Sequence, residues 1–180
     1  MERHEPIEGL ELAQNQHIKE AFESLSKLGF ERVVELGTQN GGFTIFLSRL
    51  FPEVFTFDNK SLRKTLEILN KLNNVHFAEV DIFKFTDDIG LLISQKGKTL
   101  LLCDNGNKIK EVATFKKYLK SGDFIMAHDY AKSREYFKKE IQGKYWNCLE
   151  ITDNDIDFKD LLKIDSELFN KAAWFCAMKI

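Results

Sequence analysis

The sequence predicts a single α/β domain over residues 1–180: a mostly parallel sheet of seven strands, with helices on both faces. Three observations lead there. Short apolar runs alternate with helical repeats from Arg32 to Ala127. The first of these runs ends in a glycine-bearing turn, Glu35-Leu-Gly-Thr-Gln-Asn-Gly-Gly42. No repeat, low-complexity tract or linker divides the chain. Strand–helix alternation implies parallel strands, because each crossover must cover the sheet face it passes.

Residues 1–30 form an N-terminal helical region. Ile18, Ala21, Phe22, Leu25 and Leu28 recur at helical spacing, and Gly29 suits the C-cap. The core, residues 31–130, opens with the strand Arg32-Val-Val-Glu-Leu-Gly37, and a helix runs from Gly42 until Pro52 stops it. Val54–Phe57 is the second strand, followed by a helix that Ser61 would cap. Val75–Val80 is the third strand, followed by a short helix over Asp87–Ser94. Thr99–Cys103 is the fourth, followed by a helix carrying Ile109, Val112, Phe115 and Leu119. Phe124–Ala127 is the fifth. In residues 131–180 a helix over Ser133–Ile141 precedes two further strands, Trp146–Ile151 and Ala172–Ile180.

The composition is that of an ordinary globular protein, 43% hydrophobic and 30% charged. A net charge of −2 gives no clear nucleic-acid signal. The polar start, Met1–Gly9, lacks the apolar run of a signal peptide, and no stretch approaches membrane-spanning length. Cys103, Cys148 and Cys176 are odd in number and widely spaced, as reduced residues of a cytoplasmic protein are. They show no zinc-ligand spacing.

In a doubly wound sheet, ligands bind beyond the carboxyl ends of the strands at the switch point, which places the turn after the first strand at the site. A dinucleotide fingerprint needs a second glycine two positions after Gly37, where this chain has Gln39. Its pattern is Glu-x-Gly-x-x-x-Gly, over Glu35, Gly37, Thr38, Gln39, Asn40 and Gly41, which lets backbone pass close to a bulky ligand. Alternatively the glycines close a tight turn. Asp58 ends the second strand about twenty residues on, where an acid accepts hydrogen bonds from ribose hydroxyls. With Asn59 it also suits a turn or helix cap. Asp81 follows the third strand as a base-recognising acid or a cap, and Ile82 offers an apolar wall.

The fourth strand ends Cys103-Asp104-Asn-Gly-Asn-Lys108 and the fifth Ala127-His128-Asp129-Tyr130. Neighbouring strand ends would bring Asp104 and Asp129 together, and their repulsion calls for a cation or a proton. A divalent metal such as Mg2+ held by Asp104, Asp129 and His128 answers that need. His128 is alternatively a general base, or a strand-end residue bonded to a loop. Lys108 is a second candidate base, or solvated surface.

The turn Glu35–Gly42 resembles motif I of class I S-adenosylmethionine-dependent methyltransferases. The stretch Leu101–Lys108 followed by Leu119–Tyr130 is similar to the cephalosporin hydroxylase and macrocin O-methyltransferase group, a likeness spanning roughly Val33 to Tyr130. The resemblance implies S-adenosyl-L-methionine as cofactor, wrapped by the first loop, with Asp58 on the ribose and Asp81 on the adenine amino group. It implies a last strand antiparallel to its neighbours. It also implies that Asp104 and Asp129 hold a magnesium ion orienting a substrate hydroxyl, on a sugar or other natural-product or glycan acceptor. Relatives often read Asp-Gly-x-His after the fourth strand; Asn105 and Asn107 replace the glycine and histidine here.

The chain has no obvious lid. The segment Met1–Gln16, with His4 and then His17, is expected to be a mobile polar terminus. An open site suits a large acceptor or a pocket completed by a second subunit of a homo-oligomer. Two rival readings remain: a non-catalytic S-adenosylmethionine- or nucleoside-binding protein, and a nicotinamide-dependent oxidoreductase, which Gln39 disfavours.

Overall fold

The computed structural model describes residues 6–180, so that Met1–Glu5, His4 among them, lie outside it. Strands β1 (Arg32–Leu36), β2 (Val54–Asp58), β3 (Val75–Glu79), β4 (Thr99–Cys103) and β5 (Phe124–Ala127) are mutually parallel. Strands β6 (Tyr130–Ala131) and β7 (Ile151–Thr152) pair as a small separate sheet. Strands β8 (Leu161–Lys163) and β9 (Phe175–Lys179) complete the main sheet, whose order is β3-β2-β1-β4-β5-β9-β8. Strand β9 runs antiparallel to β5 and to β8.

The helices are α1 (Ile18–Ser26), α2 (Gly42–Ser48), α3 (Arg63–Leu69), α4 (Thr86–Ser94), α5 (Lys108–Phe115), α6 (Arg134–Tyr136, continuing as a π-helical turn over Phe137–Ile141) and α7 (Glu167–Ala172). No helix among the described residues is long and apolar enough to cross a membrane.

The central strands read as unbroken apolar runs because both their faces are buried. Val33, Leu100, Leu102 and Met126 point into a core shared with Phe22 and Leu25 of α1 and with Phe43 and Leu47 of α2. Their neighbours Val34, Leu101, Cys103 and Ile125 point the opposite way, into a core shared with Ile89 and Ile93 of α4 and with Val112 and Phe115 of α5. The period-two alternation of a strand thus divides one sequence run between two cores.

Three expectations need correction. Trp146–Ile151 is not a strand of the main sheet: Ile151 belongs to β7, Trp146 makes an isolated bridge to Gln142, and the seventh strand is Leu161–Lys163. The reason is local: the Trp146 indole N–H donates to Asp129 Oδ1 at 2.6 Å, and Glu150 N donates to Asp129 O at 2.8 Å, so the segment folds over the end of β5. Ser61 is not the cap of α3, which begins after Leu62 with no side-chain cap; the Ser61 hydroxyl donates instead to Glu79.

The third correction is the N-terminal segment. Leu10, Leu12, Gln14 and Asn15 are buried, and Asn15 Nδ2 donates to Lys171 O at 2.9 Å. A Cβ on Gly42 would collide with the Glu11 carbonyl, so this strap lies backbone to backbone on the start of α2. Alternate apolar residues, Leu10 and Leu12, anchor it. We expect Leu12→Ala to lower stability by about 2–5 kcal/mol in denaturant unfolding, as a buried leucine does; a loss near zero would mean that the strap is unattached.

Candidate functional site

The site is set by register. Leu36 pairs with Cys103 across β1 and β4, and Cys103 pairs with Ala127 across β4 and β5. The next residues, Gly37, Asp104 and His128, therefore leave the sheet side by side along one edge. Ala127 also pairs with Phe175 of the antiparallel β9, so Trp174 arrives beside His128 from the opposite chain direction.

Gly37 has φ +106°, and a Cβ there would collide with the Asp104 carbonyl and Asn105 Cα. Glycine is needed because two strand ends meet, rather than because a ligand comes near. Gln39, at φ 48°, donates its N–H to Asp58 Oδ2 at 2.8 Å, while Lys60 N donates to Asp58 Oδ1 at 3.2 Å. Asp58 thus braces the loop from β2. Thr38 and Thr56 share a 2.6 Å hydroxyl hydrogen bond, and Asn40 Nδ2 donates to Glu11 Oε2 at 3.2 Å.

Glu35 lies beneath the loop, fully buried and out of reach of any bulky ligand above it. The Thr44 hydroxyl donates to its Oε2 at 2.7 Å, and Oε1 has no hydrogen-bond partner. Burial pushes its carboxyl up to about 8, which the Thr44 hydroxyl offsets only in part. Glu111, which sequence reasoning missed, accepts from Asn107 N at 2.9 Å and Asn105 N at 3.2 Å and so shapes the turn after β4. Burial pushes it up to about 7.

Two adjoining hollows follow. A cavity of about 160 Å³ is lined by Asn59, Asp81, Ile82, Phe83, Asn105 and Asn107. Asp81 Oδ1 accepts from Phe83 N at 3.0 Å, as a turn-forming aspartate does. Beside it, Gly37–Phe43 and Asp104 line a hollow of only about 10 Å³, closed by Glu11, Ala13 and Gln14 of the strap. Small-molecule sites usually enclose ~300–1,000 Å³. The first hollow accommodates part of such a ligand, and the second does so only if the strap shifts.

Gln14 is the second residue that sequence missed. Its Nε2 donates to Asp104 Oδ2 at 2.9 Å, and its Oε1 accepts from Trp174 Nε1 at 3.0 Å. His128 Nδ1 lies 3.0 Å from Asp104 Oδ1. A carboxylate only accepts, so Nδ1 carries the proton of that bond, and in the neutral ring Nε2 then holds the lone pair. That Nε2 is buried without a hydrogen-bond partner. The imidazole is stacked on Trp174 at 4.8 Å between centroids and lies equally close to Trp146.

Asp104 and Asp129 do come together, and their charge is met by Lys108. Its Nζ lies 3.0 Å from Asp129 Oδ2, 3.2 Å from Glu150 Oε2 and 3.9 Å from Asp104 Oδ1. The lysine is buried rather than solvated. Burial alone would lower its pKa, but Asp104, Asp129 and Glu150 overcome that and raise it above the ordinary lysine value, so it is no base near neutrality. Burial alone would likewise raise Asp129, but His128, Lys108 and the Trp146 indole outweigh it and hold the carboxyl low. The residues do not fit a divalent metal. Among the described residues no three His, Cys, Asp or Glu side chains are grouped to hold one, and an ammonium at 3–4 Å stands where metal–oxygen bonds of ~2.0–2.6 Å would be required.

No protein-family model and no curated protein sequence matches the chain. Solved structures do match in fold. CmcI, in an apo structure, is 15% identical with a TM-score of 0.65, over 98% of this chain and 76% of that one. A methyltransferase from Geobacter sulfurreducens is 12% identical with a TM-score of 0.61, over 91% and 79%. The N-methyltransferase NodS from Bradyrhizobium japonicum WM9, in complex with S-adenosyl-L-homocysteine, is 12% identical with a TM-score of 0.57, over 93% and 90%. The protein has the Rossmann-like methyltransferase fold, a seven-stranded mostly parallel sheet with an antiparallel strand between β5 and β8.

The Glu35 geometry generates a pH dependence. In the unfolded chain this carboxyl releases its proton near pH 4.5, whereas in the folded protein it holds it to about pH 8. Between those values the folded state binds the extra proton, so the stabilisation is whole below pH 4.5 and is lost as pH rises to 8. Each pH unit in that window removes up to about 1.4 kcal/mol. Glu35→Gln is expected to flatten that decline in unfolding experiments across the range. Parallel pH profiles for the two proteins would contradict it.

Proposed function

We propose that this protein is an S-adenosyl-L-methionine-dependent methyltransferase acting on a hydroxyl of a small-molecule or glycan acceptor. The observation that carries the reading is the cavity lined by Asn59, Asp81, Ile82 and Phe83 at the carboxyl edge, where the glycine-bearing loop Gly37–Gly42 also leaves the sheet. In that cavity Ile82 and Phe83 offer apolar walls to a base, and Asp81 an acceptor for its amino group. Asp58, already bonded to two backbone N–H groups, keeps lone pairs for ribose hydroxyls. Gly37–Gly41 and Asp104 line the half that takes the amino-acid end, and the Glu11–Gln14 strap moves aside to admit it.

When bound, the cofactor supplies an electrophilic methyl carbon on a sulfonium centre. The chain's task is to align an acceptor oxygen and remove its proton. His128 is the group suited to the second task. Asp104 orients its ring through Nδ1–H, and the unpartnered Nε2 of the neutral ring, buried while the strap is closed, accepts the hydroxyl proton once the strap opens. Trp146 and Trp174 both pack against the ring and limit its contact with water. Gln14, bonded to Asp104 and Trp174, is withdrawn or repositioned as the strap opens.

A second reading, a nucleoside-binding protein without transfer, draws on the closed strap. Calorimetry tests the cofactor pocket that both readings share, and a methyl-transfer assay separates them, because only the enzyme turns an acceptor over. S-adenosylmethionine and S-adenosylhomocysteine are expected to bind and NAD is not; tight NAD binding without S-adenosylmethionine would sink the proposal. Asp81→Ala should weaken binding about tenfold, the loss of one hydrogen bond of ~1.4 kcal/mol. With a turned-over acceptor found by screening hydroxyl compounds, His128→Ala should cut kcat by about 10²–10⁴ while leaving cofactor affinity within a few fold. An unchanged kcat would remove His128 from the reaction.

A further inference from the structure

We propose that Lys108 is the resident cation of this site, holding Asp104 and Asp129 in place and making the site independent of a divalent metal. The inference rests on the methyltransferase reading only for what the site is used for; the charge arrangement stands apart from it.

Four observations carry the proposal. Lys108 opens α5, and the positive end of a helix dipole is an unfavourable place for a cation, so an opposing force must hold it there. That force is visible: three carboxylates from three separate segments converge on one nitrogen, with Asp129 at 3.0 Å, Glu150 at 3.2 Å and Asp104 at 3.9 Å. Glu150 grips the residue at both ends, since its other oxygen accepts from Lys108 N at 2.8 Å. Finally, the side chain is 9% exposed, so the ammonium is neutralised by these carboxylates rather than by solvent.

The arrangement has a consequence for Asp104. This carboxylate faces Lys108 through Oδ1 and Gln14 through Oδ2, and also accepts from His128 Nδ1. The lysine's charge keeps Asp129 beside it without repulsion, and Asp129 in turn holds Trp146 against the imidazole. Lys108 is therefore a positioning residue. It makes no hydrogen bond to the unpartnered His128 Nε2.

The lysine and a metal ion would compete for one place, so removing the side chain should open that place to a metal. Mn2+ is the probe, followed by calorimetry and by unfolding temperature, on wild type, Lys108→Ala, and Lys108→Ala/Asp129→Asn. Wild type should show no saturable Mn2+ binding, and its S-adenosylhomocysteine affinity should be the same in Mg2+ and in chelator. Lys108→Ala should be destabilised without metal and should bind one Mn2+ in the range of about 10⁻⁴–10⁻³ M, with its unfolding temperature rising accordingly. The double variant, lacking one carboxylate, should bind at least about tenfold more weakly. Saturable Mn2+ binding to wild type that Asp129→Asn abolishes would overturn the proposal, and so would a folded Lys108→Ala that gains no affinity. If Lys108→Ala does not fold, the wild-type titration with its Asp129→Asn control decides the question alone. Failure of S-adenosylhomocysteine to bind, with the Mn2+ results as expected, would instead count against the methyltransferase reading.

Discussion

Everything at the carboxyl edge depends on the backbone register of β1, β4, β5 and β9. Leu36, Cys103 and Ala127 are paired across the parallel strands, and Ala127 is paired with Phe175 across the antiparallel one. A shift of one residue in any pairing would turn side chains to the other face and send Asp104 or His128 into a core. The two cores resist such a slip, because alternate residues of each strand are committed to opposite sides. The precision of the site is thus inherited from packing some distance below it.

On that frame the polar groups form one connected set rather than separate contacts. Gln14 ties Trp174 to Asp104, Asp104 orients His128, Lys108 joins Asp104 to Asp129 and Glu150, and Asp129 holds Trp146. Such networks are worth having only when each member is satisfied, since a buried unpaired group costs about 1–3 kcal/mol. His128 Nε2 is the exception within the set, and Glu35 Oε1 lies unpartnered beneath the loop. An unsatisfied buried atom at the proposed binding edge is the kind of cost that function explains.

The loop after β1 shows how one glycine pattern serves different demands. Gly37 allows β1 and β4 to converge, Gly41 at φ +80° clears Thr65, and Gly42 admits the strap. These are close approaches of the chain to itself. The strap then turns an edge that would otherwise be open into one nearly closed beside the loop, with room left near Asp81 and Phe83.

The sequence by itself determined the α/β alternation and the five parallel strands, because apolar runs and their period reflect burial directly; the antiparallel direction of the last strand was implied only by the family resemblance. It also indicated the edge where Asp58, Asp81, Asp104 and His128 gather, since strand ends in a doubly wound sheet share one side. Only the tertiary structure decided what those residues touch. Lys108 was legible as a lysine at a helix start, but not as the partner of Glu150, which lies 42 residues on. Gln14 and Trp174 meet across 160 residues. The burial of the strap rests on two leucines whose partners come from other elements, and the fate of Trp146 on a carboxylate in a turn. Contacts of that range leave no periodicity in the chain, so side-chain chemistry there is set by three-dimensional neighbours rather than by spacing.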